Sequence, residues 1–119
     1  MARVLVWCSD LLMGSKVREA VKSAGHESVF CSSAEALTAA LATPAQLVLA
    51  DLSPRGADPI PTLGMLKAGP LANVPVIGFY SHVDDATRKR AQDAGVQALP
   101  RSAFFGDLPA LIEKAASGA

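Results

Sequence analysis

A single carboxylate ends one of the most apolar runs in the chain: Leu47, Val48, Leu49 and Ala50 lead straight into Asp51. An uninterrupted apolar run of this length reads as a strand covered on both faces. In an open parallel sheet, the carboxyl ends of the strands frame the crevice where ligands bind and reactions occur. Asp51 is therefore a candidate site residue. Its structural reading is a carboxylate that caps a helix or fixes the loop near Gly56. Cys8-Ser9 ends another apolar run. A thiol at a strand end, facing a helix N-terminus, can have a lowered pKa and act as a nucleophile. The alternative, a small apolar core residue, is the favoured reading. Asp10, Leu11, Leu12 and Met13 supply apolar bulk and an acid, where a phosphate cradle uses glycines and hydroxyls. Arg101 can clamp a carboxylate or another anion with two hydrogen bonds, or stand as a solvated loop cation.

The remaining polar residues point to less. His26 and His82 have no metal-ligand spacing to each other or to cysteine, and read as surface loop residues. Gly14-Ser15-Lys16 lacks the preceding glycine of a phosphate-binding loop, and no dinucleotide fingerprint occurs. Arg88-Lys89-Arg90 reads as a solvated helix face or part of a docking surface. Tyr80, Phe104 and Phe105 fall near the last strand; core packing is the default for at least one phenylalanine, and an exposed one would mark a contact site. The 119 residues carry no formal net charge, which gives no electrostatic reason to expect nucleic acid or an anionic membrane. Half the residues are hydrophobic, enough for a core. The two cysteines do not require a disulfide framework. No segment approaches the roughly 20 apolar residues of a membrane span, and no signal core precedes the first strand; the cytoplasm is the expected compartment.

Positioning these residues requires a regular frame, and the chain supplies one. Strands are expected over 4–8, 28–31, 46–50, 74–80 and 96–99. Val17, Ala20, Val21 and Ala24 recur at helical spacing before Gly25. Ser32 and Glu35 form a capping box for a helix through Leu41. After a loop from Ser53 to Pro61, a short helix over 62–68 turns Leu63 and Leu66 inward. Asp84 or Asp85 caps a helix that runs to Ala94. The last helix spans 105–116, with Leu108, Leu111, Ile112 and Ala115 on one face and Pro109 in its first turn, where its missing N–H costs little. Residues 117–119 are expected to fray. Strict strand–helix alternation predicts one domain over 1–119: an α/β fold with a five-stranded parallel, doubly wound, flavodoxin-like sheet of order 2-1-3-4-5 and helices on both faces.

In order and spacing, these pieces resemble the receiver domains of two-component response regulators. The resemblance rests on Asp51 followed by Pro54, on Val74-Pro75-Val76-Ile77, on Ala91 and Ala94-Gly95, and on Leu99-Pro100-Arg101-Ser102 before Phe104. It implies that Asp51 is a phosphoacceptor or the remnant of one. Receivers hold a divalent cation with an acidic pair just after the first strand. Here those places are Cys8 and Ser9, with Asp10 one position late. The family's hydroxyl after strand four corresponds to Tyr80, with Ser81 next, and its lysine after strand five to Arg101. The loop from Asp51 to the proline is one residue short. A site with one carboxylate and a displaced acid is a poor magnesium cage. The implied function is a degenerate receiver: a signalling or protein-interaction module with no metal, no cofactor and no enzymatic activity. Its expected partner is a kinase, output domain or other signalling protein, bound at the face made by the fourth helix, fifth strand and fifth helix, with self-association as a further possibility. One alternative is an atypical receiver still phosphorylated at Asp51. A second is a phosphocysteine carrier: Cys8-Ser9 superficially resembles the loop of sugar phosphotransferase IIB subunits. Three further expectations follow. Magnesium binds weakly or not at all, Arg101 points toward Asp51, and Cys8 is structural and unreactive.

Overall fold

Strand and helix alternate without exception: β1 (Arg3–Trp7), α1 (Leu11–Ser23), β2 (Glu27–Cys31), α2 (Ala34–Ala40), β3 (Leu47–Asp51), α3 (Ile60–Lys67), β4 (Val76–Tyr80), α4 (Asp85–Asp93), β5 (Gln97–Pro100) and α5 (Arg101–Ala116). The structure, a computed structural model, describes residues 1–52, 58–81 and 85–117. Pro54, Gly56, His82, the Asp84 cap and the last two residues, Gly118 and Ala119, lie outside the described residues. The five strands form one parallel sheet in the expected order, β2-β1-β3-β4-β5. In register, Trp7 lies beside both Cys31 and Ala50, Asp51 beside Phe79, and Tyr80 beside Pro100. The central strands β3 and β4 are buried along their whole length, which is why they read as unbroken apolar runs.

Each face of the sheet carries its own core. Leu5, Val48, Ala50 and Tyr80 pack under α2, α3 and α4, which contribute Leu37, Leu63, Leu66 and Ala91. Val4, Val6, Leu47, Leu49 and Phe79 pack under α1 and α5, which contribute Val17, Val21, Phe104, Leu108 and Ile112. Cys31 belongs to the first core and Cys8 packs against the second, so the sheet separates the thiols and both are free. Among the described residues, no helix is long and apolar enough to cross a membrane.

Two helices end in the same way. After α1, Gly25 (φ +81°) donates to Lys22 O at 2.9 Å and His26 donates to Val21 O at 3.0 Å. After α4, Gly95 (φ +86°) donates to Gln92 O at 3.0 Å and Val96 donates to Ala91 O at 2.9 Å. This is the paired C-terminal cap in which glycine takes the left-handed position. Gly78 is needed for a different reason. A Cβ there would lie 2.4 Å from Leu52 Cγ, so Leu52, the residue after Asp51, rests directly on the β4 backbone.

Three expectations need correction. The α2 cap is Ser33, whose Oγ accepts from the Ala36 amide at 3.0 Å, one residue after the Ser32 of the expected box, although β2 ends at Cys31 as expected. Helix α3 begins at Ile60, whose amide donates to Asp58 Oδ1 at 3.0 Å, and Pro61 sits harmlessly in its first turn. Helix α5 starts directly from Pro100, because Phe104 heads the buried stripe completed by Leu108 and Ile112. Pro109 therefore lies inside the helix rather than in its first turn. His26 is a loop residue, as expected, and its Nδ1 accepts from the Ala2 amide at 2.9 Å.

Candidate functional site

The carboxyl ends of β1, β3, β4 and β5 bring the candidate residues to one edge. Asp51, the last residue of β3, is buried at 6 % exposure. Cys8 follows β1 and is half-buried; its Sγ lies 3.6 Å from Asp10 O, to which the thiol donates. Burial pushes the Cys8 thiol pKa up, and the negative charges of Asp51 and Asp10 add to the effect. The bond to the Asp10 carbonyl and the charge of Arg101 oppose it without overcoming it. Cys8 thus feels Asp51, Asp10 and Arg101 together, and stays a protonated thiol.

Asp10 has a definite structural task. It is the N-cap of α1, and its Oδ1 accepts from the Met13 amide at 3.0 Å. This accounts for an acid one place late: the helix start needs an acceptor there. Ser9 is exposed between strand and helix. Leu11 and Leu12 are 88 % and 71 % exposed, so they stand in solvent instead of crowding the space over Cys8 as expected. Among the described residues, no three His, Cys, Asp or Glu side chains group as metal ligands.

On β4 and β5 the candidates separate. Tyr80 is buried in the core under α2, α3 and α4. Ser81 is half-buried and shares a cleft with Arg101, Ser102, Phe105 and Lys16. Arg101 is the first residue of α5 and is exposed. Arg101 and Asp51 both lie close enough for their charges to act on the Cys8 thiol, so the two come to the same strand-end region. Lys16, discounted as part of a failed phosphate-loop match, lies with its Nζ 5.5 Å from the centre of the Phe105 ring. Its position eight residues after the strand-end thiol gives no signal in sequence.

Two further features were invisible in sequence. Asp58 and Arg90 form a hydrogen-bonded ion pair that ties the entry to α3 to helix α4. Arg3 donates from Nη1 to Ala40 O and Thr43 O, both at 2.9 Å, and so caps the end of α2 from β1.

No family model matches this sequence, and a search of curated proteins finds no match. Solved structures do match. A response regulator receiver domain protein from Clostridium thermocellum superposes with a TM-score of 0.80 at 20 % identity, over 97 % of this chain and 94 % of that one. The signal receiver domain of a signal transduction histidine kinase from Syntrophus aciditrophicus gives 0.85 at 16 % identity, over 100 % and 92 %. A chemotaxis response regulator of Vibrio cholerae gives 0.80 at 14 % identity, over 97 % and 98 %. The strand order, the two helical layers and these likenesses agree: the chain has the flavodoxin-like fold of receiver domains.

Proposed function

We propose that the chain is a receiver-like signalling and protein-interaction module with a degenerate phosphorylation site, acting through protein contact and not as an enzyme. The observation that carries this reading is the state of the first strand's end. Magnesium takes hard oxygen ligands in near-octahedral geometry. Cys8 offers a protonated sulfur, Ser9 a neutral hydroxyl, and Asp10 a carboxylate already engaged as the α1 cap. That set does not fit the cation. Phosphoryl transfer onto a carboxylate needs its developing charge offset. Asp51 is the one buried carboxylate of the described strand ends, and the described residues bring no second carboxylate to it to hold such a cation.

The partner reading follows from the same frame. Strand β5 pairs only with β4, so it is an edge of the sheet flanked by α4 and α5. A hollow of about 220 Å³ beside it is lined by Pro75, Ile77, Gln97, Leu111, Lys114 and Ala115. A kinase, an output domain or a second copy of this chain would dock on this face. The zero net charge argues against nucleic acid or an anionic membrane as the partner, and the cytoplasm is where such a module would work. Incubation of the chain with acetyl phosphate and magnesium, followed by intact mass and peptide mapping, tests the central point. Asp51 is expected to remain unmodified. A stable adduct at Asp51, absent in Asp51→Asn, would replace this reading with that of a working receiver. Phosphoryl transfer to Cys8 from a donor protein would replace it with that of a carrier.

A further inference from the structure

Helices α1 and α5 lie side by side on one face of the sheet, over a core they share through Val17, Val21, Phe104, Leu108 and Ile112. Each follows a strand of the same parallel sheet, so the two run in the same direction. A groove of about 600 Å³ runs between their outer sides. At one end stands Lys16, its Nζ 5.5 Å from the centre of the Phe105 ring. One turn further along the helices come Ala20 and Pro109, and a turn beyond those Ala24 and Glu113. The groove is thus apolar in its middle, with a cation at one end and a carboxylate at the other. Glu19 adds a second carboxylate on the α1 wall. Lys16, Glu19 and Glu113 are all exposed, and Lys16 pairs with neither glutamate. Lys114, next to Glu113 in sequence, lines the hollow beside β5 instead and leaves the acidic end its charge.

We propose that this groove is a self-association surface, occupied by the same groove of a second copy of the chain. A surface with opposite charges at its two ends is its own complement. A two-fold axis running diagonally across the groove lays Lys16 of each copy on Glu113 of the other. One contact is then made twice, as an isologous interface requires. The helices of the two copies cross at a steep angle over Ala20 and Pro109, where ridges of one helix pair fit grooves of the other. The apolar middle supplies the burial, and the two charge pairs set the register, since rim charges contribute mainly to specificity. The chain carries no formal net charge, so its copies do not repel one another as whole molecules. Gly106 suits the same use. It is exposed three residues before Pro109, its φ is not positive, and a Cβ there would meet no atom within 4 Å. Glycine inside a helix costs stability, and a second backbone crossing closely over it gives that cost a purpose. This face is separate from the β5 edge, so the inference goes beyond the reading above and stands whether or not Asp51 accepts a phosphoryl group.

The test is sedimentation equilibrium of the full chain from micromolar to millimolar concentration, without magnesium, for the parent and for charge-reversed variants. The parent is expected to show a monomer–dimer equilibrium. Lys16→Glu and Glu113→Lys each set like charges against each other at both ends, and each should weaken the dimer roughly tenfold. An equimolar mixture of K16E and E113K chains makes opposite-charge contacts at both ends again, and is expected to dimerise as the parent does. Both positions are exposed, and far-UV circular dichroism will show that the variants fold. A parent that stays monomeric at millimolar concentration would overturn the proposal and leave the groove to a different protein. A dimer that both reversals leave intact, or a mixture that associates no better than either variant alone, would overturn it too. A dimer insensitive to the reversals but lost in Gln97→Arg would place the second copy on the β5 edge instead. None of these outcomes alters the degenerate-receiver reading, which the acetyl phosphate experiment tests by itself.

Discussion

Burial and two nearby carboxylates act on Cys8 in the same direction, and both disfavour the thiolate. Alkylation of Cys8 at neutral pH, measured in a Cys31→Ala background, is expected to be slower in the native chain than in denaturant. Equal rates would mean an accessible thiolate and would revive the carrier reading. Gly78 sets a second constraint at this scale. A methyl group there would overlap Leu52 Cγ, Cδ1 and Cδ2, all within 2.7 Å. Leu52 is buried at 3 % exposure and cannot swing into solvent, so relief must come from the end of β3 that carries Asp51. Gly78→Ala should cost about 1–3 kcal/mol, the usual range for overpacking, and shift the amide signals of Asp51 and Leu52. Chemical denaturation and NMR read the two effects separately.

At the scale of elements, Pro109 and the Asp58–Arg90 pair make opposite contributions. Pro109 is exposed inside α5, where proline removes a backbone bond and costs about 3 kcal/mol relative to alanine. Alanine would give back about 0.4–1 kcal/mol through a freer unfolded chain. Pro109→Ala is thus expected to stabilise the protein by about 2 kcal/mol, seen as a higher denaturation midpoint. The Asp58–Arg90 pair fastens the entry of α3 to α4. Burial alone would raise the Asp58 pKa, but hydrogen bonds from Arg90 and the Ile60 amide, with the charge of Arg90, outweigh it and hold the carboxyl below its ordinary range. A group whose pKa is lower in the folded state stabilises the fold above its unfolded pKa, and the contribution fades as pH falls through the folded value. Both partners are substantially exposed, so the effect should be small, about 0.2–1 kcal/mol. Asp58→Asn should therefore be less stable than the parent at pH 7 and should converge with it at low pH. A difference that persists unchanged into acid would assign the effect to something other than this carboxylate.

For the whole molecule, two cores share one continuous sheet, and a strand such as β3 serves both. Such an arrangement should unfold as one unit, with fluorescence of Trp7 and far-UV circular dichroism giving the same midpoint. Two separate transitions would split the chain into independent parts. Much of this architecture is legible without coordinates. Apolar runs and helical stripes alternate, βα crossovers impose one handedness, and the strand order with Asp51 at the carboxyl edge follows from local pattern plus chirality. Boundaries were less legible. Whether a helix begins at Arg101 or Phe105 depends on Phe104 finding a place against Phe79, with ring centres 4.8 Å apart, and a single sequence does not show what a side chain will meet. The site divides along the same line. Sequence alone identifies the residue types at the strand ends, including the thiol and hydroxyl where an acidic pair would stand. Only the tertiary structure decides that Asp10 is committed to capping α1, that Tyr80 turns into one core while Ser81 opens toward Arg101, and that Lys16 joins them from another helix. Periodicity is a property of near neighbours along the chain, whereas convergence of charges from α1, β4 and α5 arises only when separate elements are packed at fixed distances.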